Sequence, residues 1–416
     1  MRMTDVAVVG AGPYGLSMSA HLTAKGIDHR IFGTPMAFWA ETMPPGMALK
    51  TSWATAGFSD PRAPYSLIDY CRERGLPHDE SGPIRLEVFV AYGQEFQRRS
   101  VPNLVPSHIV KIARAGDHFR LTTAAGATVD ARRVVVATGI GEHRFVPGEL
   151  AGLPDGVLYH SATCGDFEKF RDKDVVVVGG GASAIDTAAA LRQFGARGVV
   201  VARRDAVRYQ SPGNARSLFD QIRTPDSKLG PGWRALAVTT LPRAFHALPD
   251  TFRADIVRRF LGPAASWPAR QVVEGHVPFR LGAHLAGARM QDGKAEIDLR
   301  MKDGRCETLS ADHVIAATGY RVDIKHYKLL DASLRNELRV VDGSPALSTR
   351  FEASVPGLYF TGTAAAVAFG PMFRFVCGCG YTAGRITGHI APALARRAPQ
   401  FAPAVALPSR LSGEKA

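Results

Sequence analysis

No apolar run among the 416 residues approaches the roughly 18–20 that a membrane-spanning helix needs, which excludes a helical membrane protein. Acidic residues are the minority: 38 Asp and Glu stand against 51 Lys and Arg, a formal net charge of +13. The cations are scattered and not gathered with interleaved aromatics, so the charge points to anionic small ligands and away from nucleic acid. No membrane partner is expected either. Cysteine is scarce and odd in number (Cys71, Cys164, Cys306, Cys377, Cys379), at spacings that form no disulfide framework. The pair in "CGCG" is C-x-C, lacks metal-ligand partners, and reads as small buried hydrophobes. No Ser-His-Asp order, H-E-x-x-H or carboxylate pair stands out, and no metal is expected. The N-terminal "MRMTDVAVVG" enters a strand at once and leaves no room for a signal peptide, so a cytoplasmic location is expected.

What is present is globular in character, with 46% hydrophobic and 21% charged residues. The length calls for two domains or one composite. "VAVVGAGPYGLSMSAHL" is an apolar strand running into G-x-G-x-x-G at Gly10, Gly12 and Gly15, with Pro13 and Tyr14 between. The first glycine permits a tight turn, the second lets backbone approach a pyrophosphate, and the third lets helix pack on strand. A second copy, "VVVVGGGASAIDTAAALRQFGA", supplies Gly179, Gly181 and Ala184, with Ala182 and Ser183 opening the helix. Free N–H groups and the positive dipole end of each helix suit phosphates.

Two further strands, "RRVVVATGI" and "DHVIAATGY", each run into Ala-Thr-Gly: Thr138 and Gly139, then Thr318, Gly319 and Tyr320. The strand ends that should bear a ribose-holding acid bear none. Position 33 is glycine, leaving Thr34 or backbone for that ribose, and the second unit ends in Arg203 and Arg204. Arginine welcomes a 2′-phosphate that a carboxylate would repel. The fold expected is α/β, with two Rossmann-like dinucleotide-binding domains, the second inserted in the first.

In these residues the chain resembles the two-dinucleotide-binding-domain flavoproteins, and within them the flavin-containing monooxygenases, Baeyer–Villiger enzymes and ornithine/lysine N-hydroxylases. "FWAETMPPGMALKTS" is similar to their segment beside the flavin and brings in Trp39, Met47, Lys50 and Thr51. "PDGVLYHSATC" resembles the flavin monooxygenase fingerprint at Gly156 and His160, departing at Pro154 and Cys164. "DHVIAATGY" matches the N-hydroxylase element at Asp312 and from Ala317 to Tyr320, with Ala316 replacing Leu or Phe. The resemblance implies FAD in the first unit and NADPH in the second. It also implies oxygen transfer through a C4a-(hydro)peroxyflavin to a small-molecule substrate, at an amine nitrogen or sulfur. Lys50, His160 and Arg374 are the catalytic candidates, and Gly362, Thr363 and Phe369 are placed at the flavin.

The resemblance divides the chain into an FAD-binding domain (1–165 and 320–398), an NADPH-binding domain (166–319) and a loose tail (399–416). A helical insertion at about 205–290 is read as a lid, a substrate wall or a dimer contact, with Arg216, Arg223 and Arg234 as possible anion ligands. "QDGK" and "KDGR" read as hairpin turns between strands. A flavoprotein reductase of the same fold and a nucleotide-sensing or redox-partner protein stay open as alternatives, as does the oligomeric state, a homodimer included.

Overall fold

The computed structural model describes residues 3–49, 51–79, 82–209, 218–260 and 264–395. Lys50, Arg216 and the 399–416 tail lie outside them. The first strand, β1 (Thr4–Val9), is followed by helix α1 (Pro13–Ala24) and strand β2 (His29–Phe32). β1 lies between β2 and the strand Thr128–Val136, parallel to both. Val6, Ala7 and Val8 are wholly buried, which is why this strand is apolar without alternation. Leu358–Phe360 returns from the far end of the sequence to pair, also parallel, with Thr128–Val136. Leu104–Val105 extends the parallel side, and the antiparallel Ile109–Ala115 and His118–Thr123 complete seven strands.

A second, five-stranded parallel sheet repeats the plan. Its fingerprint strand Asp174–Val178 lies between Arg197–Ala202 and His313–Ala316, flanked by Phe279–Leu281 and Leu158–His160. In both sheets the glycine turn leaves the carboxyl end of a central strand, where crossovers to opposite sides open a crevice. Beside the second sheet, Ala283–Gln291, Lys294–Met301 and Cys306–Ala311 form an antiparallel meander. Gln291 pairs with Lys294 across Asp292 and Gly293, both at positive φ (51° and 78°). That is the two-residue hairpin turn which the Asp-Gly dipeptide favours.

The helices that follow Arg197–Ala202 divide between the two cores. Trp267–Val273 packs on Ala182–Gln193 in the second core. Pro242–His246 and Asp250–Arg259 pack instead on Ala366–Phe369, placing Phe245, Ala254 and Val257 in the core of the first sheet. The insertion therefore bridges the units, because its buried side chains find their partners across the molecule.

Candidate functional site

The two glycine turns are shaped alike. A β-carbon on Gly10 would stand 2.4 Å from the carbonyl oxygen of Ala137, and one on Gly179 would stand 2.3 Å from that of Ala317. The Ala of each Ala-Thr-Gly thus presses on the first glycine of its own fingerprint, which accounts for both motifs at once. Gly15 is closer still, its β-carbon falling 1.8 Å from the carbonyl oxygen of Gly10. In the second unit Ala184 fills that place and is wholly buried. Gly12 differs: nothing lies within 4 Å of where its β-carbon would be. Gly139 and Gly319, at φ 72° and 83°, are equally open. Gly12 and Gly181 cap their helices without a side-chain hydrogen bond, and Ala182 and Ser183 are half-buried in the first turn of the second. Tight glycines behind, an open glycine in front and uncapped helix starts fit a dinucleotide phosphate.

Gly33 is buried at φ 133°, and its β-carbon would meet the amide nitrogen of Ala11 at 3.2 Å. A side chain there would sit at an adverse φ and crowd the Ala11 amide, which favours glycine over the carboxylate due at that place. Beside it, Thr34 is exposed and its Oγ1 lies 3.3 Å from Nε2 of His108. Buried Met36, at φ 59°, donates its amide to the Ala11 carbonyl (3.1 Å) and locks the turn.

Tyr14 ties the start of α1 to the C-terminal segment, its hydroxyl lying 3.0 Å from the carbonyl of Phe373 and 2.8 Å from that of Phe375. Burial pushes its phenol well above the ordinary value. The half-buried Trp39 packs edge-on to Phe89, Met47 opens onto the same core, and Thr51 Oγ1 bonds Thr55 Oγ1 at 2.7 Å. Thr138 pairs through its hydroxyl with Tyr327, a residue nothing local in the sequence marked, since the two lie 189 positions apart. His143, Tyr327, Thr361 and Ala364 line a small cavity behind Thr138 and Gly139.

The two chain segments joining the units run side by side. Phe145 donates its amide to the carbonyl of Gly319 (3.0 Å), Arg321 donates to that of His143 (2.7 Å), and the Thr318 hydroxyl bonds the Phe145 carbonyl. The Arg321 guanidinium lies 3.5 Å over the Phe145 ring. Tyr320 stands between the units, edge-on to Phe38 and to His160. Its phenol is pushed up to about 12 by burial.

His160 donates from Nε2 to the Gly319 carbonyl (3.0 Å) and accepts at Nδ1 from the amide of Ala162 (3.1 Å). Both nitrogens are committed to main chain and burial holds the ring below its ordinary pKa, so it positions this junction as a neutral group. Arg374 is also committed: Nη1 and Nη2 donate to the carbonyls of Val257 and Phe260 at 3.3 and 2.9 Å. It caps the helix Asp250–Arg259, whose dipole end suits a cation. Phe369, expected at the flavin, belongs instead to the packing. It is wholly buried and stacks on Phe351 with centroids 3.9 Å apart. Gly362 reaches φ 63° beside the Tyr14 ring, with Thr363 half-buried after it. Arg203 and Arg204 are exposed at the end of their strand, and neither has an ion pair among the described residues.

All five cysteines are free. Burial pushes the Cys377 thiol up to about 11, the Cys164 thiol up to about 12, and raises Cys71 and Cys379 as well. Among the described residues no group of His, Cys, Asp or Glu forms a metal site.

Comparison with known proteins agrees with this architecture. A thioredoxin reductase from Streptomyces clavuligerus is 27% identical over 218 residues, which is 52% of this chain and 59% of the relative, so the likeness spans little more than half of that protein. Among solved structures, an ornithine N-hydroxylase from Kutzneria sp. 744, determined with reduced FAD, NADP+ and L-ornithine, superposes with a TM-score of 0.74 at 18% identity. It covers 94% of this chain and 100% of that one. A bacillithiol disulfide reductase from Staphylococcus aureus gives 0.63 at 17% identity, covering 95% and 100%. The fold is thus that of the two-dinucleotide-domain flavoproteins. Residues 4–220, just over half of the chain, match the pyridine nucleotide-disulphide oxidoreductase family. With its paired fingerprints and their Ala-Thr-Gly partners, the chain belongs to that family.

Proposed function

We propose that this protein is an FAD- and NADPH-dependent monooxygenase acting on a small molecule at an amine nitrogen or sulfur. The state of the thiols carries the choice between oxygenation and disulfide reduction. A disulfide reductase attacks through an accessible thiolate. This chain has no C-x-x-C pair; its only cysteines near one another in sequence are Cys377 and Cys379 in C-x-C, and burial raises both of those thiols. The higher TM-score against an N-hydroxylase, 0.74 beside 0.63 for the disulfide reductase, supports the same reading.

Bound FAD would supply the redox chemistry with O2, and the protein positions, shields and binds. Residues 1–165 and 320–398 would hold FAD. The open Gly12 and the α1 start would take its pyrophosphate, with Thr34 taking the adenosine ribose. Residues 166–319 would hold NADPH, with Gly181, Ala182 and Ser183 at its phosphates and Arg203 and Arg204 at the 2′-phosphate. His160 fixes the Gly319–Tyr320 turn at the junction.

The test is the fate of electrons from NADPH. Purified protein should be yellow, consume O2 with NADPH, and give product in step with NADPH used when offered amines or thioethers. If every candidate leaves peroxide equal to NADPH oxidised, or if disulfides are reduced instead, the oxygenase reading falls.

A further inference from the structure

Large apolar side chains left in solvent are concentrated in one part of the molecule. Ile222, Trp233, Leu241 and Phe252 are 73%, 63%, 57% and 53% exposed, the highest such values among the described residues. All four lie within 218–260. The helices Trp233–Thr240, Pro242–His246 and Asp250–Arg259 bury Ala235, Phe245, Ala254 and Val257 against the segment running from Ala366 to Arg374. Because these three helices share that floor, Trp233, Leu241 and Phe252 belong to one outward layer, with Ile222 on the helix that precedes it in sequence.

The charge left over in this layer is positive. Asp250 pairs with Arg253 and Asp255 with Arg259, and Asp220 and Asp226 are engaged as well. Arg223, Arg234 and Arg243 are exposed, and none has an ion pair among the described residues. Each unpaired arginine follows an exposed apolar residue within two positions: Ile222, Trp233 and Leu241. Large apolar groups flanked by long cationic side chains match an anionic bilayer surface. The apolar groups enter the boundary between headgroups and acyl chains, and the guanidinium groups stay at the lipid phosphates.

We propose that the 218–260 layer docks this protein peripherally on an anionic lipid bilayer. No helix among the described residues is long and apolar enough to cross one. A second copy fits the layer less well, since facing it with itself would oppose unpaired arginines.

Full-length protein sedimented with phosphatidylcholine vesicles, with and without phosphatidylglycerol, tests this. Binding should be about tenfold or more stronger to the anionic vesicles at low salt and should weaken as salt rises. Trp233 is the most exposed of the four tryptophans, so its emission should shift to the blue on binding and Trp233→Phe should remove the shift. The double variant Leu241→Ser, Phe252→Ser should lose vesicle binding about tenfold or more with an unchanged thermal midpoint and NADPH oxidation. Arg234→Gln with Arg243→Gln should erase the preference for anionic lipid. Absent or charge-independent binding overturns the proposal. So does a dimer in analytical ultracentrifugation that the Leu241→Ser, Phe252→Ser variant dissociates.

Discussion

The Nε2–H of His160 donates to the carbonyl oxygen of Gly319 across 3.0 Å, and that same oxygen receives the amide of Phe145. One carbonyl therefore joins the outgoing linker, the returning linker and the last residue of a strand in the second sheet. Tyr320, next in sequence, carries its ring between the two units.

Acid should weaken this junction. Burial holds His160, with His29 and His143, below the free value of 6.5, so they are neutral when folded and take protons near pH 6.5 when unfolded. Stability is fully present above about pH 6.5 and is lost as pH falls from there towards the folded pKa. The urea midpoint should drop between pH 7.5 and 5.5, and His160→Gln, which keeps a donor but does not titrate, should show a shallower drop. A midpoint that rises on acidification would contradict the assignment.

Gly10 and Gly12 separate folding from binding. Gly10→Ala drives a β-carbon into the Ala137 carbonyl at an adverse φ, so the loss should be several kcal/mol and the protein should express poorly. Gly12→Ala meets no protein atom. Its thermal midpoint without flavin should stay near the parent's, while FAD affinity falls about tenfold or more, worth about 1.4 kcal/mol. Flavin titration alongside calorimetry reads both.

Supplying the missing acid should harm the protein. Gly33→Asp places a side chain at φ 133° and against the Ala11 amide, a cost of about 1–3 kcal/mol. Thr34→Ala should leave stability unchanged and weaken FAD severalfold. Tighter flavin binding in Gly33→Asp would show that the turn relaxes to accept the acid.

Arg203→Ala with Arg204→Ala should raise KM for NADPH by tenfold or more and leave NADH nearly unchanged, since charge-assisted bonds to a 2′-phosphate are worth about 1.5–3 kcal/mol. Equal losses for both nucleotides would remove the 2′-phosphate role.

Much of this was legible locally. Each G-x-G-x-x-G or G-x-G-x-x-A predicted a strand, turn and helix, and the Asp-Gly hairpin before Lys294 followed from φ preferences of two residues. The empty position at 33 was legible as an anomaly, but its cause was not, because the Ala11 amide that would crowd a side chain lies 22 residues earlier. His160 was marked by a fingerprint likeness, yet its duty depends on Gly319. Arg374 was read as a catalytic candidate, and its cap on a helix more than 100 residues upstream was not legible.

The sequence by itself determined the two nucleotide turns, because steric limits on glycine and the run of buried valines act within a few residues. Tertiary structure alone decided where the insertion went. Its helices are short and weakly patterned, so the side they bury was set by Phe245, Ala254 and Val257 finding the core of the first sheet. The same packing left Trp233, Leu241 and Phe252 outside together, a surface that no contiguous apolar run announces.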